Sequence, residues 1–247
     1  MPAISRLFAD LSPLRESPAF RRLWAGTAVS SIGGALTRFA VTLQVYEITR
    51  SPFAVGVVGL VQLVPILVIG LAGGSLADAI DRRKLVLVTN CLLTVVSATL
   101  AWQAFAGLSS LWLLYLLVGV QAAIGSVGQP ARQTIIPRLL TAEKLPAGLA
   151  LNRISFQVVL IAGPALAGLI TAVPVLGLRG CYLIDALSFA ASFYGVLGLP
   201  AIPPHGAAPR PSLRAVAAGV AFIGRSQVLG GAFLADLAAG IVDTALG

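Results

Sequence analysis

The chain has 247 residues, 57% of them apolar and only 11% charged, and a formal net charge of +8. A soluble domain carries about a quarter of its residues as Asp, Glu, Lys or Arg, and surface-to-volume scaling gives it no way to hide this much apolar area. A soluble fold is therefore excluded. So are a disulfide framework and a zinc or haem site, since Cys91, Cys181 and His205 are the whole inventory of those ligands.

The first 22 residues hold Asp10, Glu16 and four arginines without an apolar core, so they are not a secretory signal. They read as a cytoplasmic amphipathic segment with Leu14, Phe20 and Leu23 turned to lipid. Six stretches then satisfy the ~20 apolar residues that a spanning helix needs: 23–46, 53–77, 85–106, 111–131, 147–172 and 178–199. Together they predict an all-α membrane fold with a six-helix bundle over 23–199. Residues 200–228 follow as a cytoplasmic linker of polyproline character with an interfacial helix. Residues 229–247 begin a seventh span.

Lys and Arg cluster on one side: four in the N-terminal segment and three in each of 78–84, 132–144 and 200–225. The opposite side holds Arg50 and Arg179. This bias places the N-terminus in the cytoplasm of a multi-pass protein of the cell membrane. Charges that cluster between apolar runs, and form no stripe on a polar helix, argue against a nucleic-acid partner and for lipid. Trp24, Tyr46, Trp102, Trp112 and Tyr182 fall near span ends, as interfacial rings do.

Hydrophilic residues inside spans are costly and mark pathways or pairs. The first span carries Thr27, Ser31, Gly34, Arg38 and Thr42 on one face, and the fourth carries Ala122, Ser126, Gln129 and Gln133, with Gln121 beside them. Both stripes are expected to line a cavity, making Ser31, Thr42, Gln121, Ser126 and Gln129 candidate pathway residues. In the sixth span Cys181, Asp185, Ser188 and Ser192 share a face, read as interhelical glue or a pathway. Arg38, about 21 Å into its span, and Asp185, about 10 Å from the other side, reach similar depth. They are expected to pair, either as a structural lock or as part of an ion pathway. Arg153 is explained by snorkelling to the headgroups.

Small residues recur at Gly70 and Gly74 in the second span and at Gly163 and Ala167 in the fifth, where Pro164 loosens the helix. Matching positions in a three-plus-three arrangement fit inverted repeats. "GGSLADAIDRRKLVL" resembles the loop signature of the major facilitator superfamily through Gly74, Leu76, Ala77, Asp78, Arg82 and Arg83; Ala79 and Asp81 depart from it. "AGPALAG" is similar to the fifth-helix antiporter signature through Gly163, Pro164 and Gly168, and "PARQTIIPRLLTAEKLPAGLALN" resembles the fourth-to-fifth connection of the enterobactin-exporter-like and drug-efflux branch. The resemblance implies that Asp78, Arg82 and Arg83 hold one half of a transporter against the other. It also implies a proton gradient as driving force and no bound cofactor. Gly119 and Gly34 stand where relatives often carry Arg and Asp, so the usual proton-handling groups are partly replaced.

The expected function is secondary active efflux of a small amphipathic molecule, such as a siderophore or drug. The chain would supply the N-terminal half, its partner being a missing C-terminal six-helix half. Asp236 and Asp243 would make the terminal span insert poorly alone, so the chain reads as a fragment. The alternative is a non-transporting membrane module or an inactive fragment that needs a partner. No catalytic residues are assigned, because no catalytic set lies near a membrane face.

Overall fold

A computed structural model describes residues 10–79 and 81–200, with the side chains of 70–79 left aside. The chain divides into two compact units, Met1–Ala208 and Pro209–Gly247, and the described residues all lie in the first. The expected linker with its interfacial helix and the expected seventh span lie outside them. The described residues form seven helices: a short α1 (Ser12–Glu16) and then α2 (Pro18–Thr49), α3 (Pro52–Ala79), α4 (Arg82–Phe105), α5 (Leu111–Leu139), α6 (Leu145–Ala172) and α7 (Gly177–Leu197).

Local chemistry sets the ends of these helices. Ser17 caps α2 by accepting from the Phe20 amide at 3.2 Å, with Pro18 opening the first turn. At the other end Arg50, in the left-handed region at φ 52°, donates its amide to Tyr46 O at 2.7 Å. Asp81 caps α4, taking the Arg83 and Lys84 amides at 2.9 and 3.3 Å, which gives a purpose to the acid standing where the loop signature has Gly. Ser110 caps α5 through the Leu113 amide at 3.4 Å.

Helices α3 to α7 each hold an apolar stretch long enough to cross a bilayer. α2 falls short on composition because of its polar stripe, but its 32 residues span about 48 Å. The tightest packing joins α2 and α4 to α7, and α3 to α5. Large apolar side chains face outward in quantity, among them Phe53 at 81% exposure, Trp112 at 81% and Val175 at 84%. Such an exterior suits lipid and not water. The chain is a multi-pass membrane protein built as a six-helix bundle.

Two expectations change here. Phe20 and Leu23 do not face lipid: they are 1% and 3% exposed inside an apolar cluster with Leu85, Val86, Ile135 and Val196. Helix α2 starts at Pro18, so these side chains are core residues of its first turns. Tyr182 is likewise buried, at 0% exposure, and donates to Gln44 Oε1 at 2.7 Å, so it belongs to no interfacial belt.

Candidate functional site

Asp185 is the centre of a polar layer. It is fully buried on α7, and its Oδ2 accepts from Ser97 Oγ at 2.7 Å, Thr37 Oγ1 at 2.8 Å and Gln121 Nε2 at 3.3 Å. Helices α4, α2 and α5 thus each send one neutral donor to the same oxygen. The other oxygen, Oδ1, is buried with no hydrogen-bond partner. Gly33 makes this approach possible: a Cβ there would lie 2.7 Å from Oδ1 and 2.9 Å from the Asp185 Cα.

The expected Arg38–Asp185 ion pair does not form. Among the described residues no ion pair within 4.0 Å joins an Arg to Asp185; an ion pair is formed by Lys144 and Glu16. The depth estimate is right but the rotation is not, since successive helical residues point about 100° apart. Thr37 therefore faces α7, while Arg38 is exposed beside Ala35, Thr42, Val159 and Pro164.

The two remaining stripes meet elsewhere. Thr27 and Ser31 of α2, Gln129, Arg132 and Gln133 of α5, and Asn152 and Arg153 of α6 line a cavity of about 370 Å³. Phe20, Trp24, Ile136, Leu149 and Phe156 form its apolar wall. Ser126 turns back onto the Ala123 carbonyl at 2.7 Å and does not line it. Gln121 belongs to the Asp185 cluster. Thr42 lies with Arg38 on the open face of α2.

Arg132 was expected in a loop as a topology anchor. Instead α5 continues through Pro130 and Pro137 to Leu139, and Arg132 is buried at 8% exposure. Its guanidinium donates to Ser30 Oγ at 3.4 Å and to Asn90 Oδ1. Asn90 also donates to Ser192 Oγ at 3.2 Å. The periodicity of Ala131, Ile135 and Ile136, all buried, carries the helix past the prolines and was the available signal. Also unforeseen is a buried amide pair, Gln44 with Gln103, exchanging bonds at 3.2 and 3.0 Å.

Of the loop signature, Gly74 and Asp78 fall in the last two turns of α3, outside the described side chains. Arg82 is buried at the start of α4. Arg83 donates to the Val196 and Leu197 carbonyls at 3.4 and 2.7 Å, and Arg22 donates to Gly198 O at 3.3 Å. These are carbonyls at the α7 C-terminus, where cations are favoured, and Val196 O also accepts the Leu199 amide at 3.0 Å. Of the fifth-helix signature, Gly163 packs on α2, since a Cβ there would lie 2.6 Å from Ala35 Cβ. Gly168 faces open space, and Pro164 borders the groove beside Arg38.

Comparison with known proteins agrees with this architecture. A family model described as transmembrane secretion effector matches residues 8–246. Enterobactin exporters of Shigella boydii and of Escherichia coli O1:K1 are 28% and 27% identical over 222 residues, 90% of this chain and 53% of theirs. The chain thus spans about half the length of these relatives. A bacterial homologue of the iron transporter ferroportin, solved in an outward-facing state, matches with a TM-score of 0.58 at 18% identity, over 72% of this chain and 48% of that one. That likeness is one of fold. The six-helix bundle, the loop and fifth-helix signatures and the match over nearly the full length converge on one assignment: the chain belongs to the transmembrane secretion effector family of the major facilitator superfamily.

Proposed function

We propose that this chain forms the N-terminal half of a proton-coupled exporter of small amphipathic molecules in the plasma membrane, with Asp185 as the proton-binding carboxyl. The single observation that carries the reading is the Asp185 cluster. Burial with no described cation within ion-pair distance works against the ionised carboxyl, while three donors on Oδ2 stabilise it. The balance depends on three different helices. A rocking motion that shifts α2, α4 or α5 against α7 changes the number of donors and so binds or releases a proton. Arg38 and Thr42, on the open face of α2, are placed to meet cargo or the second six-helix half.

The test is transport by the complete gene product in proteoliposomes, with wild type compared against Asp185→Asn. Enterobactin, the cargo named for the relatives, and a panel of amphipathic drugs serve as substrates. The substitution is expected to lower transport driven by a pH gradient at least 10-fold while sparing substrate counterflow. Full gradient-driven transport by Asp185→Asn would remove the carboxyl from the mechanism. Failure of the complete protein to move any panel member would remove the transport reading itself.

A further inference from the structure

The cavity between α2, α5 and α6 has an unusual charge balance for a space inside a membrane bundle. Arg132 and Arg153 line it, and among the described residues no Asp or Glu does. Arg132 is more than nine-tenths buried, its described partners are the neutral side chains of Ser30 and Asn90, and its Nε–H has no acceptor. A second lining residue, Trp24, repeats the pattern: its Nε1–H is buried without an acceptor. Two buried, unsatisfied donors thus border a cavity lined by two guanidinium groups and, among the described residues, by no carboxylate. Buried donors and charges left in that state are destabilising unless a partner arrives.

The rest of the lining defines what the partner carries besides charge. Phe20, Leu23, Ile136 and Leu149 offer apolar surface, and the Phe156 ring lies 6.0 Å from the Arg153 guanidinium, which leaves a flat cationic face. The volume, about 370 Å³, falls in the ~300–1,000 Å³ range of small-molecule sites. Gln129, Gln133 and Asn152 add amides that donate or accept.

We infer that this cavity recognises the anionic group of an amphipathic cargo, a carboxylate, sulfonate or phosphate, held by Arg132, Arg153 and the Trp24 indole N–H. The inference rests on the transport reading and narrows it to anionic amphiphiles. The anionic headgroup of a phospholipid offers the same chemistry, and the experiment separates the two sources.

The full chain is reconstituted in phosphatidylcholine nanodiscs, and binding of naphthalene-2-sulfonate is compared calorimetrically with that of uncharged 2-naphthol. The sulfonate should bind at least 10-fold tighter. Arg153→Gln, at an exposed position, should weaken the sulfonate about 3- to 10-fold. Arg132→Gln should weaken it more than 10-fold, and Arg132→Lys, which keeps the charge, should recover part of the loss. 2-Naphthol should be unmoved by all three, which also reports that the variants are folded. Equal binding of the two probes, or sulfonate binding indifferent to both arginines, would overturn the inference. Repeating the measurement with 30% phosphatidylglycerol should leave the sulfonate affinity unchanged. A 10-fold loss there would assign the cavity to lipid headgroups and overturn the cargo claim. A transporter that works while showing no anion preference defeats this inference alone; an anion preference without transport defeats only the functional reading.

Discussion

A methyl group added at Gly33 would sit 2.7 Å from Asp185 Oδ1 and 2.9 Å from its Cα, so α7 would have to move away from α2. At Gly34, one residue on, the same methyl would meet only the Arg38 guanidinium at 3.7 Å. Overpacking at a helix contact costs about 1–3 kcal/mol, whereas Ala for Gly in an open helical position gains up to about 1 kcal/mol. Gly33→Ala should therefore lower the thermal midpoint in detergent and Gly34→Ala should hold or raise it. Equal effects would mean that α2 and α7 are not in contact at this level. The pair also shows what a linear reading resolves. Depth along a span follows from counting residues, and it correctly brings the 37–38 region level with Asp185. Rotation about the axis does not follow from counting, and so the sequence points to the charged neighbour, Arg38, where Thr37 makes the bond.

At the scale of elements, the C-terminus of α7 is closed by arginines from two other helices. Arg83 of α4 and Arg22 of α2 donate to the carbonyls of Val196, Leu197 and Gly198. Charge-assisted bonds of this kind contribute about 1.5–3 kcal/mol when shielded. Arg22 is exposed and Arg83 half-buried, which places the pair toward the low end. Arg83→Ala is expected to cost about 1 kcal/mol and, more diagnostically, to speed amide exchange over the last turn of α7 while leaving its first turns unchanged. Uniform exchange along α7 would refute the capping role. Positive charges at span ends were legible as topology anchors; their partners were not, because the carbonyls they satisfy lie more than a hundred residues away in sequence. The extent of α5 was hidden for a different reason. Pro130 and Pro137 signal a break to local reading, yet Ala131, Ile135 and Ile136 pack on Phe20, Leu85 and Leu151, and tertiary burial overrides the local preference. The charge on Arg132, counted with the loop, thereby became a buried group in a cavity.

Taken together, the described helices alternate apolar, polar and apolar along the bundle. One apolar cluster joins Phe20, Val86, Ile135 and Val196, and the other joins Val45, Leu100, Leu114 and Tyr182. Between them on α2, α4, α5 and α7 lie Ser30 and Thr37, Asn90 and Ser97, Gln121, and Asp185, Ser188 and Ser192, most of them buried. Each helix runs through the same order, in one direction or the other. Such an arrangement puts two dry plugs around a hydrogen-bonded middle, and in lipid the middle has no competing solvent. It also fixes which chain segments share a side of the membrane: the turn after α4, at Gly107–Ser110, must lie opposite the turn after α5, at Thr141–Lys144. With Cys91 and Cys181 replaced by Ala, Thr141→Cys should react with an impermeant maleimide only after cells are opened, and Ser109→Cys should react in intact cells. The reverse pattern would overturn the cytoplasmic N-terminus inferred from Lys and Arg counts. Labelling of both from one side would break the bundle topology itself, since a single spanning helix, α5, joins the two turns.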